Sequence, residues 1–148
     1  MIVTATSPRY ASPMPGAEVD ALDSPSWPAD FPEGVPPEEA TPADELGYRL
    51  VNSNPPTRSC FQSTREENPS REFPDEQRVP SYGVSLYLEL QHAKRTRRRY
   101  KGLRSKIISV GQLSPEFGVT MPTFSYSHFT AWFYAEAEPH LAFAAVEE

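Results

Sequence analysis

The spacing of hydrophobic positions changes along this chain, and each change predicts an element. Through residue 44 apolar residues follow no period. Proline interrupts them repeatedly, so no helix or strand is assigned there. From Gly47 to Val51 the run GYRLV predicts a strand, because Tyr, Leu and Val suit a pleated, half-buried surface. Asn52–Pro56 then reads as a turn, and Thr57 as the N-cap of one or two helical turns over Arg58–Arg65 with Phe61 buried. Residues 66–81 are polar and proline-broken and read as a loop that Phe73 pins.

The pattern is strongest from Tyr82 to Val110. Tyr82–Tyr87 alternates as a strand, with Val84 and Leu86 on one face. From Leu88 the period lengthens, and Leu90, Ala93, Arg97 and Tyr100 recur at helical spacing, with Gly102 placed to end the helix as its C′ residue. Lys106–Val110 returns to a β-branched strand, which makes the stretch a β-α-β element. Gly111–Pro122 reads as a loop or irregular strand, Phe124–Tyr134 as an aromatic core strand or bent hairpin, and Leu141–Val146 as a closing strand. Together these elements predict an α+β domain over residues 45–148, a small mixed sheet with one or two short helices. A disordered, acidic, proline-rich tail is expected over residues 1–44.

Charge sharpens that division. Of 17 prolines, nine precede residue 43; residues 1–48 hold nine acids and one base, a net of 1 − 9 = −8. The remaining 100 residues hold 13 bases and 11 acids, a net of +2, so an acidic segment precedes a slightly basic one. Repeated negative charge with little apolar surface opposes collapse. Trp27 and Phe31 stand out within the tail, either as two aromatics scattered in a disordered segment or as a linear motif that docks on a protein partner or on the basic helix of its own domain.

Most of the positive charge is concentrated on the expected helix and its exit. Lys94, Arg95, Arg97, Arg98, Arg99, Lys101, Arg104 and Lys106 follow one another with no acid among them. Like charges at helical spacing repel by a few tenths of a kcal/mol per pair. Phosphate is one offset, and such clusters are common nucleic-acid footprints. Contact with the acidic tail is another. Plain solvation, with long arginine stems covering apolar surface, is the third.

Two segments carry a resemblance. Tyr48-Arg49-Leu50-Val51-Asn52-Ser53-Asn54-Pro55-Pro56-Thr57, followed by Phe61, Ser63 and Gly83-Val84-Ser85-Leu86-Tyr87 before an arginine-rich helix, resembles a group of short, uncharacterised bacterial proteins. The same strands are more faintly similar to the ADP-ribosyltransferase-like fold, which includes NAD-consuming, toxin-like enzymes. That resemblance implies NAD as cofactor and a catalytic set of Arg49, Ser85, Glu136 and Glu138. An arginine would hold the NAD diphosphate, a serine would orient the ribose, and a carboxylate would stabilise oxocarbenium-like charge as nicotinamide leaves.

The remaining candidate chemistry is sparse. His92, His128 and His140 are too far apart for a local metal motif, and the seven glycines are too dispersed for a phosphate loop. His92 is expected on the polar or boundary face of the helix, and His128 as a hydrogen-bonded core histidine. The single Cys60 excludes an intramolecular disulfide. No long apolar run and no leader-like N-terminus is present, so a soluble, cytoplasmic protein that does not engage a membrane is expected.

Overall fold

The computed structural model of the chain describes residues 25–148. Seven strands pair antiparallel in one sheet: β1 (Thr41–Pro42), β2 (Leu46–Val51), β3 (Val84–Tyr87), β4 (Ile107–Gln112), β5 (Gly118–Pro122), β6 (His128–Phe133) and β7 (Phe143–Ala145). Their order is β1-β5-β6-β3-β2-β4-β7. Three α-helices accompany them, α1 (Thr64–Glu67), α2 (Asp75–Ser81) and α3 (Leu90–Arg99), with 3-10 turns at Arg58–Phe61, Lys101–Leu103 and Pro139–Ala142. The architecture is α+β, as the pattern of elements predicts, although every described pairing is antiparallel rather than mixed.

The β-α-β element is present in split form. β3 and β4 both pair antiparallel with β2, so they run parallel to each other with β2 between them. α3 makes the connection and lies over β2 and β3. Side chains alternate across the sheet. On one face Val51, Val84, Leu86, Phe129, Ala131 and Phe143 join Cys60 and Phe61 in the main core. On the other, Ala93 of α3 and Ile108 of β4 are fully buried, and the Trp132 indole donates to the carbonyl of Val79 on α2 at 3.2 Å. Both edge strands are two or three residues long, and β1 contains Pro42, which leaves little edge for another chain to pair with.

Several expectations change. Residues 25–44 are packed against the sheet rather than left as a disordered tail. Val35 and Ala43 are buried, β1 pairs with β5, and Ala135 N–H donates to Ser26 O at 2.7 Å. Trp27 and Phe31 dock on their own domain, but on Tyr134 and Tyr82 instead of the basic helix, with Trp27 and Tyr134 ring centroids 4.5 Å apart. The part of the expected tail before residue 25 lies outside the described residues.

Within 66–81, α2 forms where a loop is expected. Asp75 and Glu76 in its first turn complement the helix dipole, and Pro80 falls too near the end to interrupt more than the last turn. The helix expected over Arg58–Arg65 is broken at Gln62-Ser63, into the 3-10 turn and α1. α3 ends at Arg99 with Tyr100 extended and half exposed, so Tyr100 leaves the buried stripe and Gly102 sits in the following 3-10 turn instead of at C′.

Close approach of chains explains Gly83. A Cβ there would run into the Thr130 side chain and the Ala131 carbonyl across the β3–β6 pair. Gly83→Ala is expected to destabilise the fold by about 1–3 kcal/mol through overpacking, measured as a lower midpoint in denaturant unfolding.

Candidate functional site

Arg49 leaves β2 on the main-core side and is only 7% exposed. Its Nε donates to Cys60 O at 2.9 Å and its Nη1 to Ser85 O at 2.8 Å. Its Nη2 reaches Gln62 O at 3.4 Å and the Glu67 carboxylate at 3.3 Å. Burial lowers its pKa, and Glu67 opposes that shift; an arginine remains charged in a protein. The β2–β3 ladder consists of the single pair Tyr48–Tyr87, and beyond it the guanidinium takes over the carbonyl of Ser85. The same cation explains the helix break, because the carbonyls of Cys60 and Gln62 turn toward it instead of joining a continuous helical ladder.

Ser85 meets Arg49 only through its backbone. Val84 and Leu86 face the core, so by strand alternation the Ser85 hydroxyl lies on the opposite face, where it lines a hollow of about 220 Å³ with Arg71, Phe73 and Phe124. Glu136 and Glu138 occupy the exposed turn after β6, and Glu138 pairs with Arg58 at 3.2 Å. An NAD-consuming site would need the arginine, the serine and a carboxylate in one cleft. The structure places them in three surroundings.

A cleft of about 480 Å³ opens on the core face beside these residues. Its apolar lining includes Phe61, Val84 and Phe133, its polar lining Arg58, Glu66 and His140, and Tyr82 and Tyr134 line it as well. Phe31, from the docked N-terminal segment, closes one side. His140 Nδ1 is buried without a hydrogen-bond partner among the described residues. Glu66 is already committed to a capping box with Ser63, accepting from Ser63 N at 2.8 Å while its own N–H donates to Ser63 Oγ at 3.0 Å. The cleft therefore offers shape and, at His140, a buried ring nitrogen without a partner among the described residues.

Cys60 is buried in the main core. Burial pushes its thiol up, but N–H groups of Thr57 and Asn52 and the hydroxyls of Ser53 and Thr57 outweigh that effect and bring it to about 6. At 3% exposure and without a base beside it, the sulfur is out of reach of a substrate. Among the described residues no group of three or more His, Cys, Asp or Glu could hold a metal ion, and no helix is long and apolar enough to cross a membrane.

The basic surface is different, because most of its cations form no salt bridge among the described residues. Arg97 is tied down, donating through Nη1 to Glu148 at 3.0 Å and to Lys106 O at 3.2 Å. Lys94, Arg95, Arg98, Arg99, Lys101 and Arg104 pair with no carboxylate among the described residues. Arg104 Nε donates to Arg98 O; Arg95, Arg98, Arg99, Lys101 and Arg104 are exposed, and Lys94 is half-buried. His92 lies at the boundary of α3, its ring 4.5 Å from Tyr87, as expected. His128 is a buried, hydrogen-bonded histidine, with Nδ1 2.9 Å from Thr123 Oγ1.

Two stability measurements test these placements. Arg49→Ala is expected to destabilise the fold by about 3–5 kcal/mol, because it strands buried carbonyls and Glu67. Arg49→Lys should recover little, since an ammonium lacks the planar fork. Burial, aided by His92 and opposed by Thr123, holds His128 below its ordinary 6.5, so the neutral ring is the native form. Its contribution is complete above 6.5 and is lost as pH falls through the lowered folded value. The Tm should therefore drop between pH 7 and pH 5, and His128→Gln should flatten that drop. Comparison of the chain with protein-family models, characterised proteins and solved structures finds no match.

Proposed function

We propose that this protein is a binding module that holds nucleic acid on the basic surface formed by α3 and the 3-10 turn after it. One observation supports this reading: six cations close together in sequence form no salt bridge among the described residues, with only Lys94 in the field of Glu148, while the neighbouring Arg97 is paired with Glu148. Their repulsion is unfavourable in the free protein, and a phosphate backbone relieves it while releasing condensed counterions. The fold suits the role. α3 is anchored by its buried Ala93 against the sheet, so its charged side faces outward on a rigid platform.

Fluorescence anisotropy with a labelled oligonucleotide at several salt concentrations tests the reading. For about five phosphate contacts, affinity should fall by about two orders of magnitude between 50 and 200 mM salt. Replacing Arg95, Arg98 and Arg99 together by alanine should weaken binding and lower the salt slope by about 2–3. Affinity indifferent to salt, or unchanged in the triple variant, would refute it.

A further inference from the structure

The turn joining β5 to β6 presents two aromatic rings to solvent beside the basic helix. Phe124 is 64% exposed and Tyr126 is 83% exposed. Their backbone is held in an unusual state: Phe124 has φ 63° and Ser127 φ 68°, the left-handed region that bulky side chains avoid. Such conformations persist where surrounding structure fixes them. Here the fixing contacts come from Leu88, just before α3, and from His92 in its first turn. Leu88 N–H donates to Ser127 O at 2.6 Å, and His92 Nδ1 lies 2.6 Å from Ser127 Oγ. Phe124 leans on His128, with ring centroids 5.2 Å apart.

The aromatic turn is thus locked to one end of the charged helix. From that end His92, Arg95 and Arg99 follow at spacings of three and four, one stripe along α3. Arg99 ends against Tyr100, with its Cζ 5.4 Å from a ring that is itself half exposed. A helix of ten residues is about 15 Å long, so aromatic rings flank a cationic track that a few nucleotides would span.

We infer that the nucleic acid is single-stranded, with unpaired bases stacked on Phe124 and Tyr126 and the backbone running along the His92–Arg95–Arg99 stripe. This rests on the nucleic-acid reading above and narrows it. In a duplex the base faces are occupied by stacking within the helix, leaving projecting rings nothing to stack on. Single strands present those faces, and stacking on aromatic side chains beside a cationic groove is how such strands are held without sequence preference.

The experiment uses the full chain with a fluorescein-labelled dT12 strand, a labelled 12-base-pair duplex, and vesicles of phosphatidylserine in phosphatidylcholine. The single strand should bind at least about tenfold tighter than the duplex at equal salt. The variant Phe124→Ala/Tyr126→Ala should weaken binding to the single strand by about 10- to 100-fold. It should barely change the duplex and leave the salt slope as it was, since no ion contact is removed. Tyr126→Ala alone, at the more exposed position, should show part of the same loss with an unaltered Tm, which separates stacking from folding. Equal affinity for strand and duplex, or indifference to the aromatic substitutions while the arginine triple variant still matters, overturns the single-strand inference and leaves the basic-surface reading standing. Failure to bind either oligonucleotide, or binding to the vesicles alone, overturns both.

Discussion

A guanidinium removed from water organises the core face of this protein. Arg49 sits on the second strand of the sheet, and a buried cation must be met by acceptors or it destabilises the fold. Three backbone carbonyls and one carboxylate meet it, contributed by the 3-10 turn, the residue after it, α1 and β3. Those acceptors come from chain segments up to 36 residues away from Arg49. The interaction therefore sets how the turn lies on the sheet, why the following helix is interrupted, and why β2 and β3 share only one paired position. A neutral side chain of equal length could fill the space without imposing that arrangement.

The consequence for function is a separation of faces. The core face carries Arg49, Cys60 and the aromatic cleft, and the N-terminal segment with Trp27 and Phe31 is folded down at the cleft's edge. The opposite face carries α3, whose cations project away from the sheet, and the turn that brings Phe124 and Tyr126 beside them. Residues that look chemically related along the chain fall on different sides. Arg49 and Ser85 are in contact, yet strand alternation sends the serine hydroxyl away from the guanidinium. The positive charges that do share a surface are near neighbours in sequence, carried by one helix.

What could be read in advance follows the range of the interactions involved. The strand at β2, the alternation of Val84 and Leu86, the helix burying Ala93 and the strand at β4 are each written in a local period, and each is present. α2 was hidden because Pro80 and the polar run around it look like a breaker, and only the docking of Trp132 on Val79 reveals the helix's packed side. The turn Thr123–Ser127 was hidden inside an aromatic run read as core. Its one local signal is that Phe124 and Tyr126 alternate with serines, which points both rings the same way without saying whether that way is inward. Trp27 and Phe31 stood out by type alone; that they rest on Tyr134 and Tyr82 depends on residues more than 50 positions away.

The chain by itself determined an α+β composition, a proline-rich acidic beginning, a strand-helix-strand centre and the concentration of cations on that helix. These follow from periodicity, propensity and charge, which act between residues a few positions apart. Tertiary structure decided the rest. It made Arg49 a buried hub, placed Glu138 against Arg58, paired Arg97 with Glu148 while the other cations of α3 form no salt bridge among the described residues, and set two exposed rings at the helix's start. Each of these depends on which distant segments meet, and in an antiparallel sheet of this strand order most partners are far apart in sequence. A local pattern can say that a side chain is charged or aromatic. Only the packed chain says what it faces.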